Sequence, residues 1–244
     1  MRRLAALGLG LVVAAGCGGG GGTQKEAAPS ATVFAASSLT EVFQRIAPRD
    51  RFSFAGSDQL AAQIQEGAPA DVFAAASPKY PDALHDDGLV ATPRPFATNS
   101  LVVVVPSDNP AGITRVADLA KSGVRVVVGA EGVPLGDYTR DVLERLGRED
   151  VLGNVVSNEE DAKSVIAKIV SGDADAAFVY VTDAKAAGGD VRTIAIPESA
   201  EPTATYEIAT VANAPHPVAA RRFVRLVLSA RGRAALEAAG FGLP

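Results

Sequence analysis

Three segments of the chain place small hydroxyl residues or glycines after a predicted strand and at the start of a predicted helix. They read ASSL from residue 36, AGSD from residue 55 and GVPLGDY from residue 132. A helix N-terminus carries unpaired N–H groups and partial positive charge, so it can hold an anion without a cationic side chain. In open α/β sheets, ligands bind beyond the carboxyl ends of the strands, where these turns lie. The segments therefore predict an anion site.

A simpler interpretation of the two serine turns stays open at this point. Ser38 and Ser57 each precede a predicted helix, and N-capping is the commonest role of a serine there. Ser38 and Glu41 also have the spacing of a capping box. Either serine alone favours the cap, whereas their recurrence at successive strand ends favours a site.

Residues suited to other chemistry are sparse. The sequence has no phosphate-binding loop, no GxGxxG turn opening a helix after a strand, and no GxSxG nucleophile elbow. Its histidines, His85 and His216, lie in polar or proline-flanked contexts without another good metal ligand nearby. A secreted hydrolase using Ser38 or Ser57 would need a base that neither histidine is placed to supply. We therefore expect no enzyme, no cofactor and no metal held by side chains.

Composition and charge exclude further classes. The chain has 244 residues, 48% of them hydrophobic and 21% charged, which is typical of a globular protein. It carries 23 basic and 28 acidic residues, a net charge of −5, whereas a nucleic-acid-binding protein usually needs a basic excess. The single cysteine, Cys17, excludes an intramolecular disulfide and a four-thiolate zinc site.

The first thirty residues resemble a targeting segment. Residues 1–16 have a basic start, an apolar run too short to span a bilayer comfortably, and small residues before Cys17. We interpret them as a secretion signal ending in a lipobox, with Cys17 as the lipidated residue. Residues 17–30 would then be a glycine-rich tether anchoring the protein to the outer side of the cell membrane. An ordinary signal peptide with an incidental cysteine is the alternative.

The remaining sequence alternates strand and helix patterns, which predicts an α/β protein with mainly parallel sheets. The predicted strands lie at residues 32–35, 52–54, 71–75, 101–105, 124–128, 155–156, 176–180, 191–196 and 207–211. The predicted helices start near residues 38, 57, 79, 118, 134, 159, 218 and 232.

Several motifs, in the same order along the chain, resemble the periplasmic molybdate-binding proteins of ABC transporters. They cover about residues 31–243 and read TVFAASSLT from residue 32, FAGS from 54, GAPADVF from 67, NSLVVV from 99, VPLGDY from 133, ED from 160, VY with Asp183 from 179, and GF from 240. Each motif alone is weak, whereas the ordered set is specific.

The resemblance implies a set of ligand donors that sequence patterns alone do not give. It implies that a tetrahedral oxyanion, molybdate or tungstate, is held by neutral donors without lysine or arginine. Carried over by motif, the donors are the hydroxyl and N–H groups of Ser38 and Ser57, the N–H groups of Leu135 and Ala162, and the hydroxyl of Tyr180. Leu135 replaces a usual alanine, and Asp58 follows Ser57 where the family often has serine, so another oxyanion such as sulfate remains an alternative.

The resemblance also implies an architecture and partners. The expected fold is the two-lobed periplasmic-binding-protein fold of type II, with the ligand in the cleft between the lobes. Lobe one would comprise residues 31–98 plus 209–244, and lobe two residues 99–208. The protein would act as a monomer that delivers its ligand to an ABC permease.

Overall fold

The computed structural model describes residues 29–200 and 202–244. The expectations for the secretion signal, for lipidation of Cys17 and for all but the last two residues of the tether lie outside these ranges. Within them, no helix is long and apolar enough to cross a membrane.

The strands form two five-stranded sheets, ordered β2-β1-β3-β10-β4 and β7-β6-β8-β5-β9. Their bounds are β1 Thr32–Ala36, β2 Arg51–Ala55, β3 Val72–Ala75, β4 Arg94–Asn99, β5 Leu101–Pro106, β6 Val126–Gly129, β7 Val155–Glu159, β8 Ala176–Tyr180, β9 Val191–Ile194 and β10 Ala204–Thr210. The helices are α1 Thr40–Ile46, α2 Ser57–Gln65, α3 Lys79–Asp86, α4 Pro134–Arg145, α5 Ala162–Val170, α6 Val181–Ala187, α7 Pro217–Leu228 and α8 Ala230–Ala239. The predicted α/β class is confirmed.

Both sheets are mixed, so the prediction of mainly parallel sheets is wrong. β1 runs parallel to β2 and β3, and β6 runs parallel to β7 and β8. β10 and β5 are antiparallel to both of their neighbours. These two strands enter their sheets from the other sheet, and therefore escape the helical crossover that makes consecutive strands parallel.

The chain passes between the sheets twice. Only Ser100 separates β4 of the first sheet from β5 of the second. The return lies between β9 and β10, because Ala204 already pairs with Asn99 and Tyr206 with Ala97 in the first sheet. Asn99 and residues 204–208 were expected in lobe two, and the structure places them in the first sheet. Each sheet with its helices is called a lobe below.

Apolar burial fixes the helices on the sheets. In α4, the buried Leu135, Val142 and Leu143 lie on one helical face, and α4 contacts β6 and β8. In the first lobe, Phe43 of α1 packs edge-on to Phe223 of α7, with ring centroids 5.1 Å apart. Such close packing keeps the strand ends rigid, and the helix starts that follow them are therefore held in fixed positions.

Candidate functional site

The starts of the helices converge on one small cleft between the lobes. Lobe one lines the cleft with the ends of β1, β2 and β3, and lobe two lines it with the starts of α4, α5 and α6. The lining residues are Ala36, Ser37, Ser38, Ala55, Gly56, Ser57, Ala76, Val133, Pro134, Leu135, Asp161, Ala162 and Tyr180. All the site residues that the resemblance implies are in this set. The space between the lining residues is about 220 Å³ including open solvent at the mouth, and the enclosed part is much smaller.

Neither serine is a helix cap. Ser38 lies within a 3-10 turn, Ser37–Leu39, and its Oγ lies 2.9 Å from the hydroxyl of Tyr206. Gly56 is the N-cap of α2, and Ser57 Oγ accepts a hydrogen bond of 3.1 Å from the N–H of Ala76. The capping alternative and the proposed capping box with Glu41 are therefore wrong.

The first turns of α4 and α5 point backbone donors at the cleft. Leu135 is the second residue of α4, after Pro134, and Ala162 is the first residue of α5. N–H groups in a first helical turn have no carbonyl partner within their own helix. Asp161 caps α5 by accepting a 2.9 Å hydrogen bond from the Ser164 N–H. Both lobes thus present donors to the same space.

The hydroxyl of Tyr180 completes the cleft wall. Tyr180 ends β8 and is the N-cap of α6, and its hydroxyl oxygen is buried without a hydrogen-bond partner in the structure. Burial raises the pKa of Tyr180 well above its ordinary value, so the phenol keeps its proton. A buried hydroxyl that is neutral and unpaired can donate to an incoming acceptor.

The Tyr180 hydroxyl leads to a first prediction. Tyr180→Phe should weaken oxyanion binding roughly ten- to a hundredfold, because a hydrogen bond to a charged group contributes about 1.5–3 kcal/mol. The unliganded protein should be at least as stable as the original, because the substitution removes an unpaired buried hydroxyl. Isothermal titration and urea unfolding measure the two effects, and unchanged affinity would remove Tyr180 from the site.

Of the charged residues that the structure describes, only Asp161 lines the cleft, and its carboxylate caps α5. No lysine or arginine lines it among the residues that the structure describes. Around its edge, three contacts join the lobes, and we call them the rim contacts: Lys163 Nζ to Glu41 Oε1 at 2.6 Å, Gln59 Nε2 to Glu160 Oε2 at 2.9 Å, and Lys79 Nζ to Asp137 Oδ2 at 3.0 Å. The Tyr80 hydroxyl also donates to the Gly132 carbonyl across the cleft.

Asp58, a possible source of repulsion toward an anion, lies outside the lining. Its Oδ1 is buried close to the Cα of Gly56 and has no hydrogen-bond partner in the structure. Burial raises the pKa of this carboxyl. The position outside the lining lessens the repulsion that the sequence suggests.

Sequence reasoning missed several residues that support the site. Ser37 Oγ accepts from the Lys163 N–H at 3.4 Å, which joins the start of α1 to that of α5 across the cleft. Tyr206 and Asn99 lie behind Ser38, with 3.3 Å between the amide nitrogen of Asn99 and the hydroxyl of Tyr206. Pairing of distant strands creates these contacts, and no local pattern predicts them. Ser37 alone had a signal, as the neighbour of Ser38.

Neither histidine is bonded to a serine of the cleft in the part of the chain that the structure describes. His216 donates its backbone N–H to Asp71 and lies 3.1 Å from that carboxylate through Nδ1, whereas Nδ1 of His85 lies 3.1 Å from the carbonyl of Val90. Within the described ranges, neither ring bonds to Ser38 or Ser57.

Two α/β lobes that enclose a small cleft lined by donors define a class of protein, the two-lobed solute-binding proteins. A family model described as "Bacterial extracellular solute-binding protein" matches residues 31–242. The chain belongs to this family.

Individual relatives agree with this assignment. A protein named "Molybdate-binding protein ModA" from Mycobacterium tuberculosis (strain CDC 1551 / Oshkosh) is 38% identical over 98% of this chain and 95% of its own length. One of the same name from Escherichia coli K12 is 34% identical over 74% of this chain and 76% of its own length.

Solved structures show the same fold. The periplasmic molybdate-binding protein of Azotobacter vinelandii superposes with a TM-score of 0.79 at 21% identity, covering 88% of this chain and all of that one. The sulfate-binding protein SubI of Mycobacterium tuberculosis gives 0.71 at 18% identity, covering 87% and 86%. At these identities the likeness is one of fold alone, and the predicted periplasmic-binding-protein fold is confirmed.

Proposed function

We propose that this protein captures molybdate in the interlobe cleft and delivers it to an ABC importer. The observation that carries the proposal is a small cleft lined by neutral donors from both lobes and, among the described residues, by no cationic side chain. The ligand donors are the hydroxyl and N–H groups of Ser38 and Ser57, the N–H groups of Leu135 and Ala162, and the Tyr180 hydroxyl. The relatives named for molybdate binding support this choice of ligand.

Neutral donors suit a fully deprotonated oxyanion. Burying a bare dianion without partners costs on the order of tens of kcal/mol. Hydrogen bonds to a charged group contribute roughly 1.5–3 kcal/mol each, so a set of preoriented donors offsets that cost. The net charge of the chain, −5, gives no general attraction for anions, so the donors must act locally.

Cleft size would separate the candidate ligands. Tungstate is expected to bind like molybdate, because both are tetrahedral dianions of similar size. The smaller sulfate would leave part of the donor set unsatisfied. The buried side chain of Leu135, which replaces an alanine of the family pattern, would narrow the cleft from the lobe-two side.

Ligand binding would close the lobes. A ligand bonded to Ser57 and Leu135 joins both lobes and stabilises the closed form, with bending at Ser100 and at the return before β10. The rim contacts would form on closure, because each joins a residue of one lobe to a residue of the other. The closed protein would dock on the permease as a monomer, outside the cytoplasmic membrane and anchored through lipid on Cys17.

Thermal unfolding with and without oxyanions tests the proposed function. At about a thousand times the dissociation constant, binding adds roughly 4 kcal/mol of stability. For a protein of this size, that raises the unfolding temperature by about 8–16 °C. We expect such a shift with molybdate and tungstate and a much smaller one with sulfate or phosphate. A shift with sulfate alone would show that the ligand is sulfate and not molybdate. No shift with any oxyanion would refute the proposal.

A further inference from the structure

A chain of hydrogen bonds leads from the interlobe connection to the cleft. Asn99, the last residue of β4, lies 3.3 Å through Nδ2 from the hydroxyl of Tyr206. That hydroxyl lies 2.9 Å from Ser38 Oγ. All three side chains are buried. The inference drawn from this chain rests on the proposed function, because it concerns how Ser38 meets the oxyanion.

The directions of these hydrogen bonds follow from the Asn99 amide. Its Oδ1 accepts from the Ser100 N–H at 3.0 Å, which fixes the orientation of the amide group. Its Nδ2 therefore faces Thr182 Oγ1, at 2.9 Å, and Tyr206. An amide nitrogen only donates, so the Tyr206 oxygen accepts from Asn99.

Either hydroxyl could donate in the hydrogen bond between Tyr206 and Ser38, and the need of the buried phenol proton for an acceptor favours Tyr206 as the donor. A phenol has one proton, and within the described ranges Ser38 Oγ is the acceptor bonded to it. Ser38 accepts from Tyr206, and its own proton remains for an acceptor in the cleft. Ser57 has a comparable arrangement, because its Oγ accepts from the backbone N–H of Ala76 and its own proton remains for the cleft.

Packing holds the Tyr206 hydroxyl in place. The ring meets Phe96, Tyr180 and Phe241 in edge-on contacts, with centroids 6.2, 5.9 and 5.3 Å apart. Burial raises the pKa of Tyr206 far above its ordinary value, so the hydroxyl keeps the proton that it donates. A rigid, neutral donor behind Ser38 leaves that serine little freedom to rotate its proton away from the cleft.

We infer that Tyr206, oriented by Asn99, is a positioning residue that fixes the Ser38 hydroxyl as a donor and makes the site select oxyanions that carry no proton. A protonated oxyanion such as hydrogen phosphate would need an acceptor where the cleft offers donors. Ser38 would be the natural acceptor if its proton were free to turn. The hydrogen bond from Tyr206 occupies one acceptor position of Ser38 and keeps the serine proton from turning toward Tyr206, so that proton is directed at the cleft.

The Tyr206→Phe variant tests the inference, because phenylalanine keeps the ring packing and removes only the hydroxyl. Isothermal titration measures the molybdate dissociation constant, and competition measures displacement of molybdate by inorganic phosphate at neutral pH. We expect molybdate binding to weaken roughly three- to tenfold. Phosphate should compete at least as well as before, because the freed Ser38 can accept its proton. The preference for molybdate over phosphate therefore falls.

Two further variants separate positioning from general destabilisation. Ser229→Ala removes the hydroxyl cap of α8, a loss of stability remote from the cleft, and should leave both affinities unchanged. Asn99→Ala keeps Tyr206 but removes the amide that donates to the Tyr206 hydroxyl. It should lower the preference for molybdate over phosphate by a smaller factor than Tyr206→Phe does.

The possible results distinguish the inference from the proposed function. Unchanged affinities in Tyr206→Phe, or equal weakening for molybdate and phosphate, would overturn the inference while the proposed function stands. Failure of the unsubstituted protein to bind molybdate would overturn both.

Discussion

The Gly56→Ala variant is expected to bind molybdate on the order of a hundredfold more weakly while remaining folded. A Cβ at Gly56 would collide with the backbone carbonyl of Glu160, which belongs to the opposite lobe. Gly56 has φ −59° and ψ 141°, which alanine adopts without strain. The same Cβ would also approach Asp58 Oδ1 of its own lobe, but that is the end of a side chain and can turn aside. The collision with the Glu160 backbone arises only when the lobes meet, and overpacking of this kind costs about 1–3 kcal/mol or more. Isothermal titration measures the affinity.

Scattering and a matched variant complete this test. Small-angle scattering should show that molybdate compacts the original protein more than it compacts Gly56→Ala. Gly153→Ala is the control, because a Cβ at Gly153 meets nothing within 4 Å. Equal affinity of the Gly56→Ala and Gly153→Ala variants would show that the lobes need not approach as closely as they do here.

The free energy of unfolding is expected to fall as the pH rises from mildly acidic to neutral, and to fall less in the Asp183→Asn variant. Asp183 lies in the first turn of α6, 1% exposed, and neither carboxylate oxygen has a hydrogen-bond partner in the structure. Burial raises its pKa to about 7, against the opposing charge of Lys163, whose Nζ is 3.9 Å away. The carboxylates of Glu41 and Asp161 raise the pKa further.

The sign of the effect follows from proton binding. The unfolded chain loses the Asp183 proton near the ordinary pKa of 3.8, whereas the folded protein keeps it until about pH 7. Between these values the folded state binds more protons, so rising pH lowers the free energy of unfolding. The loss approaches roughly 4 kcal/mol above pH 7, and an uncharged asparagine avoids it.

Urea unfolding across this pH range measures the Asp183 effect. The exposed Asp108 provides the control, since Asp108→Asn changes the same atoms at the surface. If Asp183→Asn and the original protein lost stability in parallel as the pH rises, Asp183 would be ionised in the folded state throughout.

Local sequence was sufficient to predict the turns that form the cleft. β1, before Ser38, is a largely buried apolar run, and β2, before Ser57, places the half-buried Phe52 and Phe54 on either side of Ser53. A 3-10 turn follows β1 at Ser37, and α2 follows β2 at Ser57. Because these signals lie within ten residues, the helix starts and their position at strand ends were predictable. The roles of Ser38 and Ser57 as ligand donors stay a prediction.

Contacts between distant segments were not predictable from patterns. β4 begins with exposed Arg94 and Pro95, so its sequence does not resemble a buried strand. Tyr206 stands in a strand whose register with β4 brings it behind Ser38, 168 residues away. Tyr180 has the pattern of a core residue, and only the family resemblance singled it out. Hydrogen bonds between residues of distant strands cannot be predicted from the spacing of residues within one segment.

The position of β10 also sets an order of folding. β10 lies between β3 and β4 and is antiparallel to both, so lobe one cannot complete its sheet until residues 204–210 are available. The strands of lobe two all lie between residues 101 and 194 and need no later segment. A chain emerging from its N-terminus therefore holds its first lobe unfinished while the second can form. The most sequence-distant pairings close last, which makes lobe one the slower unit to refold.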